Sequence, residues 1–249
     1  MSQQAQEFHS IAPEKISLIG VPQFQHMLRL AERGIDRTVI DSRLAEKNFV
    51  VYCASATRVF PDEELFVGEL IQTCKKLGLH LLVRMHPNER VEIYQQSFAH
   101  DPSIVLSAAS SFFSAGVPRK KLEGDPNVEF QNFTFFMSRA LAVVNLASTT
   151  SLDAMVFSTP VICPTFNIDP RMSGAWNEAK RWYESEHFAP VVKSGAIDLV
   201  ESMQQLERLL VSLTAQPHPR RNEAIQFMSA FSPRRLPSQV IADILRANK

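Results

Sequence analysis

The stretch Leu141–Pro164, LAVVNLASTTSLDAMVFSTPVICP, decides how this chain folds. Ala142 to Asn145 is a short apolar run between polar residues, the pattern of a strand buried on both faces. Ala147 to Ser151 is a turn of small, hydroxyl-bearing residues: Ser148, Thr149, Thr150 and Ser151. A helix is predicted from Leu152, with Leu152, Met155 and Val156 on one face at i, i+3 and i+4. Ser158-Thr159-Pro160 ends it, because proline cannot donate to the helix ladder and restricts the residue before it. Val161-Ile162-Cys163 then opens a second buried strand. Strand, turn, helix and strand in this order make one unit of a doubly wound, mostly parallel sheet, an α/β Rossmann-like fold. Such sheets take ligands at the carboxyl ends of their strands.

The turn admits two readings. Exposed backbone N–H groups and the hydroxyls of Ser148, Thr149 and Thr150 suit an anion such as a phosphate. Asp153, one turn further, suits the two hydroxyls of a ribose. The alternative is that the hydroxyls cap the helix and Asp153 complements its dipole.

The same residues resemble the donor-nucleotide motif in the C-terminal domain of GT-B glycosyltransferases. In that group an acidic residue on this helix contacts the donor ribose, seven positions before the proline that opens the next strand. Asp153 and Pro160 have that spacing. The nearest subgroup is that of bacterial surface-carbohydrate enzymes: capsule polysaccharide transferases, CDP-glycerol glycerophosphotransferases and CMP-sugar transferases.

A second candidate lies at Arg84-Met85-His86-Pro87, after the predicted strand Leu79–Val83. Arginine carries a fixed fork of donors suited to phosphate. Histidine can donate or accept near neutrality. The ordinary reading is a pair of turn residues. The His-Pro at a strand end is similar to the "HP" motif of bacterial sialyltransferases and CDP-glycerol-type transferases, in which the histidine contacts the nucleotide. By that resemblance Arg84 and His86 are the catalytic candidates. Ser55 and Thr57, in the small-residue loop after the strong strand Phe49–Cys53, are expected by the same resemblance to line that crevice. His187, in HFAPVVKSGAIDLV, resembles the family's His-aromatic pair and is placed facing the cleft.

The remaining chain is read from local signals. Lys15–Gly20 (KISLIG) is predicted as a strand, followed by a short helix to about Arg33 that Gly34 ends. A helix is expected from Pro61-Asp62-Glu63-Glu64, with acids in its first turn, and Gly78 stops it. Residues 107–131 read as one long loop, with a helix from Phe133 to Arg139 behind it. Trp176–Tyr183 and Glu201–Leu213 read as helices, and two short helices close the chain.

Composition narrows the field. Lys plus Arg equals Asp plus Glu at 26 each, so no polyanion-binding surface is indicated and nucleic acid is not expected as a partner. The basic run Arg119-Lys120-Lys121 reads as a solvated face. Three cysteines without CxxC or Cys/His spacing give neither a disulfide framework nor a zinc site, and no metal is expected. No signal-peptide core and no apolar run of about 18 residues is present. A cytoplasmic location is expected, compatible with peripheral attachment at the inner membrane face.

The resemblance covers about Ile16 to Leu213. A segment similar to IGVPQF joins the two domains of these enzymes, so residues 1–20 read as a remnant of an interdomain linker and residues 21–249 as the nucleotide-binding domain. The implied function is the donor-binding half of a GT-B-like transferase in surface polysaccharide synthesis. It would use a CMP-, CDP- or UDP-linked sugar, need no other cofactor, and act on a glycan acceptor. The general base belongs to the N-terminal domain in that family, and no candidate is evident here. Transfer is therefore expected to require an N-terminal domain or a partner chain. Two alternatives are a sugar-nucleotide 2-epimerase relative, whose turn is usually Ser-Gly-Gly, and a non-catalytic scaffold that keeps the fold.

Overall fold

A six-stranded sheet, all of it parallel, runs through the computed structural model in the order β3-β2-β1-β4-β5-β6. The structure describes residues 6, 9–56, 58–86, 91–98, 100–108, 125–216, 221–231 and 237–247. The strands are β1 (Phe49–Cys53), β2 (His80–Met85), β3 (Ile104–Ala108), β4 (Ala142–Asn145), β5 (Val161–Pro164) and β6 (Asp198–Val200). Every residue of β1, β4 and β5 is buried. That is why these strands read as unbroken apolar runs rather than alternating ones: helices cover both faces.

Ten α-helices are described: α1 (Pro22–Arg33), α2 (Ser42–Ala45), α3 (Glu63–Lys76), α4 (Val91–Phe98), α5 (Pro126–Arg139), α6 (Thr150–Met155), α7 (Ala189–Lys193), α8 (Met203–Ala215), α9 (Arg221–Ser229) and α10 (Pro237–Ala247). Alternation along β1 assigns the two faces. Phe49 stacks on Phe135 of α5, with ring centroids 6.0 Å apart. Tyr52 lies against Phe66 of α3 at 5.5 Å. Helix α1 packs beside α5, and α8 beside α3, where Lys76 pairs with Glu207. One continuous core of aliphatic and aromatic side chains fills both interlayers.

Several boundaries differ from the sequence reading. Lys15–Gly20 is no strand: a 3₁₀ turn covers Pro13–Lys15, and the residues after it are not paired. Leu18 is 64% exposed there, so the apolar run has no layer to bury it. Helix α5 starts at Pro126, seven residues before Phe133, and shortens the expected loop. The start signal was present: Asp125 accepts from the Asn127 N–H at 2.8 Å, and proline occupies the first helical position. The rest of that expected loop, residues 109–124 with Arg119-Lys120-Lys121, lies outside the described residues. Trp176 precedes a 3₁₀ helix at Ala179–Glu184 rather than opening an α-helix.

Candidate functional site

Strand order reverses at β1. The chain winds outward from β1 through β2 to β3, then returns to place β4 on the other side of β1. A crevice between the carboxyl ends of β1 and β4 is where a doubly wound sheet takes its ligand. In register, Cys53 of β1 is flanked by Arg84 of β2 and Asn145 of β4. This row lies at the carboxyl ends of the three strands, and the turns carrying the candidate residues follow directly from it.

The turn after β4 is built around Asn145, which sequence reasoning did not single out. Its fully buried carboxamide Oδ1 accepts from the Ser148 N–H and the Ser151 hydroxyl, both at 3.0 Å. Ser151 is thereby buried and serves the turn, while Thr149 is exposed and Ser148 and Thr150 are half-buried. The Ser148 hydroxyl oxygen accepts from the Thr150 hydroxyl at 3.0 Å and the Thr150 N–H at 3.3 Å. Ala147 takes a left-handed backbone, φ +43°, to bring the chain from strand to helix. A short Asn-to-Ser spacing ahead of a helix is the signal that could have found Asn145.

Helix α6 begins at Thr150, two residues earlier than predicted, and carries Asp153 inward. Asp153 is only 8% exposed. Its Oδ1 accepts from Gln23 Nε2 of α1 at 2.8 Å. Burial pushes its carboxyl up to about 7, opposed by the Gln23 hydrogen bond and the Arg84 charge. The neighbouring Cys53 thiol is pushed up to about 11, first by burial, with Arg84 and Thr150 opposing and Asp153 adding to the rise.

Arg84 does not project freely. Its Nη2 donates to Glu129 Oε1 of α5 at 2.9 Å, and its guanidinium carbon lies 4.6 Å from the centre of the Phe133 ring. A planar cation held between a carboxylate and an aromatic face is fixed in direction. His86 follows the last residue of β2, half-buried, and Pro87 lies outside the described residues. Ala54 continues the β1–β2 ladder by donating to the Arg84 carbonyl at 2.9 Å, so the loops after β1 and β2 leave the sheet together.

Ser55 is buried at the start of the β1 loop. Its N–H donates to Glu63 Oε1 at 2.6 Å. Glu63, read from sequence as an ordinary first-turn acid, is 4% exposed and also accepts from the hydroxyls of Tyr52 (2.7 Å) and Tyr94 (2.8 Å). The Tyr52 phenol is driven well above its usual range, first by burial and then by the Glu63 charge. Further along, the same loop is tied to the segment after β5. Asp62 Oδ2 accepts from the Asp169 N–H at 2.9 Å, Asn177 donates to the Arg58 carbonyl at 3.2 Å, and Trp182 Nε1 donates to the Val59 carbonyl at 3.0 Å.

The structure thus gathers Arg84, His86, Ser55, Ser148, Thr149, Thr150 and Asp153 at one edge of the sheet. Thr57 lies outside the described residues. His187 is exposed, and its neighbour Phe188 is buried edge-on against Tyr183. The segment after it forms the short helix α7. Among the described residues no cluster of His, Cys, Asp or Glu could hold a metal ion, and no helix is long and apolar enough to cross a membrane.

No protein-family profile and no curated protein matches the sequence. Solved structures do match its fold. A variant of the wall teichoic acid polymerase TagF aligns over 99% of this chain and 55% of its own, with 14% identity and a TM-score of 0.59. S. aureus MnaA with UDP aligns over 90% and 52%, at 14% identity and a TM-score of 0.53. A putative UDP-N-acetylglucosamine 2-epimerase from Listeria monocytogenes aligns over 99% and 57%, at 14% identity and a TM-score of 0.51. The chain spans little more than half the length of these proteins. At such identities the likeness is one of fold: a Rossmann-like domain of the GT-B type.

Proposed function

We propose that the chain is the donor-nucleotide-binding half of a GT-B-like glycosyltransferase acting in surface polysaccharide synthesis, and that residues 21–249 form that domain. The observation that supports this best is the reversal of strand order between β1 and β4, with a hydroxyl-lined turn fixed there by Asn145. In this reading the hydroxyls of Thr149, Thr150 and Ser148 hold the phosphates of a CMP-, CDP- or UDP-linked sugar. Asp153 accepts from the ribose hydroxyls. Arg84, and His86 beside it, face the charge that grows on the departing phosphate, and stabilising that charge is the catalytic contribution of this half. Ser55 lines the β1 side. His187 would join only through the segment after β5. The glycan acceptor and the base that activates it belong to an N-terminal domain or a partner chain.

Calorimetric titration of the chain with CMP, CDP and UDP tests this. Saturable binding of one of them is expected, abolished or weakened at least tenfold by Thr149→Ala combined with Asp153→Ala. No transfer is expected from the chain alone. UDP binding with release of free sugar would instead favour the epimerase, against which the Ser148-Thr149-Thr150 turn already counts. Absence of binding to all three would leave the scaffold reading.

A further inference from the structure

A carboxylate that grips a diol must be an acceptor at both oxygens, hence ionised. Asp153 sits where ionisation is opposed: it is buried, and burial favours its neutral form. Of the helices packed on α6, α9 carries only the exposed charges Arg221 and Glu223, and α5 carries exposed Arg139 and the Glu129 paired with Arg84. The groups that act on Asp153 or lie beside it come from three other elements. Cys53 of β1 offers no charge to offset its own. Arg84 of β2 acts only through space, because its guanidinium is bonded to Glu129 of α5. Gln23 of α1 is the group that touches it, with an amide N–H donated to Oδ1 at 2.8 Å across 130 positions of sequence. An amide has no titration of its own, so this donor is present at every pH.

We propose that Gln23 is a positioning residue for Asp153, holding its carboxylate ionised and turned so that the remaining lone pairs face the ribose of the bound nucleotide. The proposal rests on the assignment of Asp153 to the ribose. It also gives α1 a part in the site: the helix is set there by the stack of His26 on Phe130 of α5, 4.6 Å between ring centres, and by the edge contact of Phe24 with Phe231. A hydrogen bond to the charged form lowers the proton affinity of a carboxyl, and removing it does the reverse. Nucleotide affinity should therefore fall on the acid side of about pH 7 in the native chain.

The test is the affinity for UDP, CMP and CDP between pH 5.5 and 9, in the native chain and in two variants. Gln23→Met keeps the length and removes the donor; its midpoint should move up by about one pH unit, giving about tenfold weaker binding near pH 6 and nearly equal binding near pH 9. Gln23→Lys places a cation there and should move the midpoint down. A contact that only supports the fold would weaken both variants alike at every pH, and that result would overturn the proposal. The ¹³C carboxyl resonance of Asp153, followed without nucleotide, reads the same two shifts directly. Opposite shifts there together with opposite shifts in affinity establish the role. Binding with an unmoved carboxyl titration removes Gln23 while leaving the nucleotide assignment intact. A native chain that binds none of the three nucleotides sinks both.

Discussion

Two buried carboxylates stand on opposite faces of one sheet edge, and they are treated differently. Glu63 lies on the α3 face with both oxygens satisfied by Tyr52, Tyr94 and the Ser55 N–H. Asp153 lies on the α5 face with one neutral donor and an arginine already paired elsewhere. Adjacent residues of β1 serve the two sides, Tyr52 reaching Glu63 and Cys53 lying beside Asp153. The first carboxylate ties the loops together. The second keeps unused acceptor capacity beside the crevice. Under the proposed function the contrast is between a structural acid whose acceptors are filled within the fold and a binding acid that keeps capacity for a ligand.

Three measurements would break or sharpen this contrast. The largest effect is expected from Glu63→Ala, which leaves two phenols and one N–H buried without their acceptor. A loss on the order of 3–5 kcal/mol in urea unfolding is expected. A loss below about 1 kcal/mol would mean that the loops stand without it.

Next comes the pH dependence of stability. The folded chain holds Asp153 near 7 against an ordinary 3.8, so the folded state binds this proton more tightly than the unfolded one. The contribution is fully present below about pH 4 and is lost as pH rises through about 7. Between pH 4 and 8 the native chain should lose on the order of 3 kcal/mol relative to Asp153→Asn, read as a difference in slope of unfolding free energy against pH. Parallel slopes would show Asp153 to be as well served as Glu63.

The smallest effect concerns how the helices of the two faces end. Helix α3 closes with Gly78 at φ +66°, and the Leu79 N–H donates back to the Cys74 carbonyl at 2.9 Å. Helix α6 closes the same way, Thr159 N–H to Ala154 carbonyl at 3.2 Å, but with Ser158 at φ +57°. A side chain in the left-handed region is disfavoured by roughly 1–2 kcal/mol, offset in part by the greater unfolded freedom of glycine. Ser158→Gly should therefore stabilise the chain by about 0.5–1 kcal/mol, visible as a small rise in Tm. A fall would show that the Ser158 side chain makes an energetically useful contact.

What was legible in the sequence follows the range of the interactions. β1, β4 and β5 were readable because strands buried on both faces carry only apolar side chains, and β2 ran only a residue or two beyond its reading. The turn and the position of Asp153 on the helix after it were readable because a strand, small residues and a helix follow one another within a dozen positions. Glu63 was misjudged because its phenolic partners lie 11 and 31 positions away, and nothing local distinguishes a first-turn acid facing water from one facing Tyr52. Gln23 and Asn145 were passed over for related reasons: one acts across 130 positions, and the other looks like a polar residue that merely ends a strand. Lys15–Gly20 failed oppositely, since an apolar run says that burial would be favourable but not that a neighbouring strand is there to pair with it.

The stitching of the β1 loop to the segment after β5 has a consequence for ligand capture. Asp62, Arg58 and Val59 meet Asp169, Asn177 and Trp182 across more than a hundred positions, and all of these bonds form when the chain folds. That lip of the cleft has its shape before any guest arrives. If the proposed nucleotide site is correct, ordering of this lip adds nothing to the cost of association.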